Sequence, residues 1–348
     1  MKTVVRFLVG LSILAFAPGS AALSAQGGMR AEVPIHQRTL RRNNRRFSVP
    51  VKIGATSIEA GLDSGSTGLR VLPGVLNAAD ARASGNKANY SYASGVRLAG
   101  VLGTAIVSIG SLSGTAGLQL VESVGCTAKK PNCSAVRLAA GQFGIMGSGI
   151  AGEGFKAILG VSMTPAGIPN PLVAMGVKRW IIELPRSSSD GAGRLVLNPT
   201  DAEVGGYAMF PVHGSSSSDH GAHDAIRACL VNERTRAKAC GWLNMDTGAA
   251  GIQVLNSNLR RRWRKGTPVL LTFGGEDAPQ LTERLITGDR AGGSRVLFKS
   301  SDRISGVAIH AGVLPYLAFS VLYDPQQGLI GLKPRPSLEG GPRAGAEP

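Results

Sequence analysis

The sequence predicts an all-β protein, mainly strands with a few short helices. Three observations carry this. Gly accounts for 48 of the 348 residues, about twice its usual share. With 19 Pro, that density marks many tight turns between short strands. The hydrophobic fraction, 43%, supplies a packed core and argues against wholesale disorder. The Gly positions follow no three-residue period, which excludes a collagen-like chain. The length fits about two domains.

The first segment reads as an export signal over residues 1–22. Lys2 and Arg6 precede 11 largely apolar residues, Phe7 to Ala17, and the small residues Gly19, Ser20, Ala21 and Ala22 suit cleavage near Ala22. An 11-residue stretch is too short to span a bilayer, which needs about 20. Without this segment the formal charge falls from +16 by two to +14. Residues 23–46 are polar and basic, with Arg38, Arg41, Arg42, Arg45 and Arg46, and show no apolar period.

Alternation begins at Phe47, Val49, Val51 and Ile53, turns at Gly54 and continues through Ile58, Ala60 and Leu62. Further strands are expected at Arg97–Ile109, Leu118–Val124, Trp180–Leu184, Arg194–Leu197, Tyr207–Val212, Ala225–Val231, Gly241–Met245, Val269–Phe273, Arg295–Lys299 and Ala318–Tyr323. Short helices are expected at Pro171–Met175 and Asn256–Trp263. The apolar run Val307 to Tyr323 contains His310 and Pro315 and reads as a buried strand pair. Gly214–His223 reads as an exposed loop and 337–348 as a flexible tail.

Four cysteines suit an exported chain. Cys126 and Cys133 enclose six residues, Cys229 and Cys240 enclose ten. Of the three pairings open to them, the sequential one is favoured, each bridge closing a short loop for about 2.5–3 kcal/mol. Neither spacing is the type that zinc prefers.

The halves echo one another. Ile58-Glu59-Ala60-Gly61-Leu62 runs into Asp63-Ser64-Gly65-Ser66, and Gly241-Trp242-Leu243-Asn244-Met245 runs into Asp246-Thr247-Gly248-Ala249, 183 positions later. Each half then carries an apolar-apolar-Gly step, Ile158-Leu159-Gly160 and, less cleanly, His310-Ala311-Gly312. A second alignment places the first step at Ile145-Met146-Gly147. An internal duplication accounts for this. An Asp-Ser/Thr-Gly triplet behind an apolar strand fixes a carboxylate rigidly, and the Gly amide is free to bond it. Two such loops face to face hold two carboxylates about 3 Å apart, which share one proton.

Taken with further segments, these triplets resemble the pepsin-like aspartic proteases over roughly residues 46–335. Tyr92-Ala93-Ser94-Gly95 followed by Gly100-Val101-Leu102-Gly103 is similar to the family's flap hairpin. Phe319 to Leu332, with Tyr323-Asp324 and Leu329-Ile330-Gly331-Leu332, resembles its C-terminal strand pair. The resemblance implies two pseudo-symmetric lobes, 47–187 and 188–336, around a central cleft, and an exported endopeptidase that hydrolyses peptide bonds with activated water. It implies Asp63 and Asp246 as the catalytic dyad, supported by Ser64, Gly65, Ser66, Thr247 and Gly248, with Tyr92, Ser94 and Gly95 binding substrate. It implies no metal, no organic cofactor, a peptide or protein substrate, and a monomer.

Four departures stand out. Arg70 occupies the place of the family's usual Trp, Ala249 replaces the hydroxyl that would mirror Ser66, Val313 stands where many relatives are acidic, and Asp63 to Tyr92 spans only 29 residues. Loss of that hydroxyl predicts a less acidic pH optimum. A catalytically weakened binding protein on the same fold is the competing expectation, favoured by Arg70 and Ala249.

Other signals carry less. Gly147 to Gly152 matches a dinucleotide fingerprint, but Gly154 and Gly160 spoil the helix it needs. His220 and His223 lie in a Ser-rich stretch without apolar support, and no Gly-x-Ser-x-Gly occurs. The basic clusters 38–46 and 260–265 accompany no nucleic-acid fold. They read as solvated faces, open to peripheral contact with an anionic envelope surface. Residues 23–46 could also lie in the cleft as a propeptide.

Overall fold

The computed structural model describes residues 28–336 apart from 42–43, 187–190, 214–223, 260–262, 276–277, 289–292 and 302–305. The export signal, the tail, His220, His223 and Arg260 to Arg262 lie outside the described residues.

The protein is built from two sheets. The first half contributes β1 (Ala31–Thr39), β2 (Arg45–Ile53), β3 (Thr56–Asp63), β4 (Thr67–Val71), β5 (Arg82–Ser91), β6 (Val96–Ile109), β7 (Leu112–Cys126), β8 (Ala157–Val161), the short helix α1 (Pro171–Ala174) and β9 (Trp180–Glu183). The second contributes β10 (Gly193–Leu197), α2 (Asp201–Val204), β11 (Ala208–Pro211), β12 (Ala225–Asn232), β13 (Lys238–Asn244), β14 (Ile252–Leu255), β15 (Pro268–Gly274), β16 (Pro279–Ile286), β17 (Val296–Lys299), β18 (Ala308–His310), α3 (Leu314–Ala318), β19 (Phe319–Asp324) and β20 (Leu329–Pro334). Thirteen strands form one sheet in the order β11-β20-β19-β9-β10-β1-β2-β3-β8-β4-β7-β6-β5, which folds back through a β2–β6 pairing. Seven form the other, β16-β15-β12-β13-β18-β14-β17.

The same arrangement of four strands occurs in both sheets. β3 pairs in parallel with β8, β8 antiparallel with β4, and β4 in parallel with β7. In the second sheet β13 pairs in parallel with β18, β18 antiparallel with β14, and β14 in parallel with β17. The step beside the first triplet is therefore Ile158-Leu159-Gly160, with Leu62 opposite Leu159 and Asp63 opposite Gly160. Ile145 makes only an isolated bridge to Phe155, so the alternative alignment fails.

The halves are also sewn together. β19 pairs with β9, which ties the C-terminal strands into the larger sheet, and Tyr323 stacks on Trp180 at 5.7 Å. One core runs from Phe47, Leu62 and Leu159 to Leu243, Phe273 and Ile309. Burial of this kind contributes about 25 cal/mol per Å2 of apolar surface.

Several expectations change. Ala31, Val33 and Ile35 face inward while Glu32, Pro34 and His36 face out, so the segment read as lacking an apolar period is a strand between β10 and β2. Arg38 reaches the Gly154 carbonyl at 3.1 Å and the Arg41 amide reaches Glu153 at 2.9 Å. This described part of 23–46 belongs to the sheet rather than to a cleft insert. At Asn256 the backbone turns left-handed (φ 55°) and its side chain accepts from the Ser301 amide, and the described residues of 256–263 form no helix. The run 307–323 is strand, helix and strand rather than a strand pair.

Candidate active site

Both triplets leave apolar strands whose inward faces are fully packed. Asp63 ends β3 and Asp246 follows β13 by two residues. Buried Leu62 and Leu243 fix each approach. In each loop the Gly amide donates to its own Asp: Gly65 to Asp63 Oδ1 at 3.0 Å and Gly248 to Asp246 Oδ1 at 2.7 Å.

The hydroxyls cross between the halves. The Ser64 amide donates to Thr247 Oγ1 and the Thr247 amide to Ser64 Oγ, each at 3.0 Å. Thr247 Oγ1 donates to the Leu62 carbonyl at 2.6 Å, and Ser64 Oγ to Met245 at 3.2 Å. Ser64 and Thr247 are buried, so each bond is shielded from water. This clamp presses the triplets together. A Cβ on Gly65 would stand 2.5 Å from Asp246 Cγ, so only Gly fits there.

The two carboxyls lie side by side: a Cβ on Gly248 would stand 2.9 Å from Asp63 Oδ1 and 3.1 Å from Asp246 Oδ1. Asp246 keeps partial exposure, yet burial of its carboxyl, and then the Asp63 charge, push its pKa well above the usual carboxylate range. The Gly248 amide and the charge of Arg46 oppose this only in part. Asp63 accepts a second bond, from Ser66 Oγ at 2.6 Å. Ala249 offers Asp246 no such partner. Of the two carboxyls, Asp246 is thus the one whose protonated form its surroundings favour. Such a pair can take a proton from a water and give one to a carbonyl oxygen.

Beneath the clamp lies a brace that sequence reasoning missed. Tyr316 Oη donates to Ser64 Oγ at 2.6 Å and lies 2.5 Å from Tyr323 Oη. Burial raises both phenol pKa values. Asp224 ties the halves again, accepting from the Met163 amide at 2.6 Å and from Thr164 Oγ1 at 3.0 Å.

The expected hairpin is present as β5 and β6, with Tyr92-Ala93-Ser94-Gly95 at its tip. Tyr92 packs into a small cluster with Leu72, Leu98 and Phe143; its buried hydroxyl abuts Arg70 without a well-formed hydrogen bond. Tyr90, two residues earlier and so on the same face, lies over Arg70 with its hydroxyl near Ser66. The two-residue period was the signal that could have found it. Ser94 is exposed. Gly95 is buried, and its carbonyl accepts from the Thr127 amide at 2.8 Å.

That amide belongs to the loop closed by one of two disulfides, Cys126–Cys133 and Cys229–Cys240. Both fit an oxidising environment. No described helix is long and apolar enough to cross a membrane. Among the described residues no group of three or more His, Cys, Asp or Glu could hold a metal. A cavity of about 600 Å3, lined by Arg38, Glu59, Pro73 and Lys156 among others, includes none of the dyad residues. No family model matches the chain, and no curated protein matches it.

Proposed function

We propose that the protein is an exported aspartic endopeptidase of the pepsin-like type. The observation that carries this reading is the reciprocal Ser64–Thr247 clamp, which brings Asp63 and Asp246 together to share one proton. Asp63 accepts a proton from the attacking water as its oxygen bonds the scissile carbonyl carbon. Asp246 donates its proton to the carbonyl oxygen. Return of a proton to the leaving nitrogen breaks the C–N bond, giving a carboxylic acid and an amine. The duplicated strand order supports two related lobes about this centre, and an extended peptide would gain much of its affinity from main-chain hydrogen bonds. The signal-like residues 1–22 and both disulfides support export to a periplasmic or extracellular space.

The deciding assay uses a denatured protein substrate from pH 2 to 7, with and without a pepstatin-type inhibitor, beside Asp63→Asn. Cleavage that the inhibitor blocks and Asp63→Asn abolishes is expected. Activity that survives Asp63→Asn overturns the dyad. Ala249 favours one other reading, a peptide-binding protein with a weakened site. It would appear as peptide binding without cleavage.

A further inference from the structure

Two glycines flank the dyad and leave a gap that one side chain fills. Gly61 lies on β3 two residues before Asp63, where a Cβ would meet Met146 Sδ at 2.7 Å. At Gly248 a Cβ would stand 2.9 Å from Met146 Cε, the same distance as from Asp63 Oδ1. The Met146 thioether therefore runs from the first sheet to the second triplet, with its methyl beside the carboxyls. It stands on the open side of the site: Met146, Asp246 and Gly248 are partly exposed, whereas Ser64 and Thr247 on the clamp side are buried. Met146 also packs on the apolar cluster of Leu72, Phe143, Ile145 and Ile158, on which the hairpin residue Tyr92 rests.

The backbone at Met146 is left-handed (φ 64°), a conformation that glycine adopts freely and a residue with a Cβ adopts at a cost. Hydrogen bonds hold it there. Ile145 and Phe155 exchange backbone bonds, each at 2.9 Å, the Gly147 amide donates to the Gly144 carbonyl at 3.1 Å, and Arg46 Nε donates to the Met146 carbonyl at 2.9 Å. Glycine at 146 would relieve the strain but leave the gap between Gly61 and Gly248 open. A side chain is thus kept where the backbone favours none, and methionine, unbranched and adaptable, fits an irregular gap. The volume it fills is taken from the space in which a substrate side chain beside the scissile bond would lie.

We propose that Met146 is a specificity-determining residue whose thioether walls off one substrate subsite, so that on one side of the scissile bond the enzyme accepts small apolar side chains such as Ala or Val and excludes aromatic ones. The inference rests on the endopeptidase reading. It names a loop residue outside both triplets and the hairpin as the one that sets substrate size.

The test is a set of matched peptides with Ala, Leu or Phe scanned on either side of one cleavable bond. The Ala peptide is expected to exceed its Phe partner about tenfold in kcat/KM on one side only. Met146→Ala and Met146→Gly should both shift that ratio toward Phe, by about 10–100-fold. The two variants separate side chain from backbone: Met146→Gly should melt above Met146→Ala, because φ 64° suits glycine, yet share its selectivity. Met175→Ala removes a partly exposed methionine at the end of α1 and should keep the parent ratio. A ratio unchanged in both Met146 variants, a shift in Met146→Gly alone, or an equal shift in Met175→Ala overturns the assignment. Failure of the endopeptidase reading looks different: no peptide of any size is cleaved. Binding of the same peptides, followed by fluorescence anisotropy, then still decides whether Met146→Ala gains affinity for Phe.

Discussion

The Arg70 guanidinium carbon lies 3.6 Å from the centre of the Tyr90 ring. Arg70 belongs to β4, which the first triplet leads into, and Tyr90 to the outer arm of the hairpin. The contact therefore docks the hairpin on the strand that follows Asp63. A buried cation over an aromatic face contributes about 1–2 kcal/mol. Arg70→Met should free the hairpin, speed hydrogen exchange at the Tyr90–Leu98 and Ser91–Arg97 pairs, and lower kcat/KM roughly tenfold. Arg70→Lys keeps the charge but loses the planar stack, and should recover only part. Unchanged exchange in Arg70→Met would remove the latch.

Thr247 holds the two loops together with three hydrogen bonds. Thr247→Val keeps the shape but strands the Ser64 amide and the Leu62 carbonyl in a buried site. Two stranded groups cost about 2–4 kcal/mol. Denaturant unfolding should show a loss of that order together with a fall in kcat, whereas Thr247→Ser should stay close to the parent. A neutral Thr247→Val would mean that the clamp carries little of the stability.

The parts of the fold legible in sequence are those where alternation or a short motif reports the environment directly. Phe47, Val49, Val51 and Ile53 alternate and are all buried in β2. The triplets and cysteine pairs are local in sequence and in space. β8 was found only through its Gly step, because both its faces are buried and it has no polar partner to alternate with. β5 and β16 escaped for the opposite reason, being mostly exposed edge strands. β1 hid its Ala31-Val33-Ile35 face among charged neighbours. The Tyr316–Ser64 bond joins residues 252 positions apart, and no local pattern announces such a meeting.

Ala249 sets the pH dependence. In the proposed mechanism hydrolysis needs the dyad with one proton, so the high-pH limb of the rate profile should report loss of the proton from Asp246. Burial and the Asp63 charge raise that pKa, and no hydroxyl opposes them. The optimum should therefore lie above about pH 3. Ala249→Ser supplies a donor that favours the charged carboxylate, so the high-pH limb should move toward acid. A limb that stays in place, or moves toward base, would contradict the account.

Under the proposed function Asp246 also links catalysis to stability. Its pKa is raised on folding, so the native state binds that proton more tightly than the unfolded chain. Its contribution is fully present below the unfolded carboxyl pKa of about 3.9 and is lost as pH rises through the higher folded value. Once the pH passes the folded value, the site holds a carboxylate that burial and Asp63 both disfavour. Asp246→Asn removes that charge and keeps an acceptor for the Gly248 amide. The variant should be inactive, yet more stable than the parent at pH 7 by about 1–3 kcal/mol, with the difference closing toward pH 3. Thermal midpoints for both proteins across this range provide the check. A difference that grows as the pH falls would reverse the assigned sign and place the shared proton elsewhere.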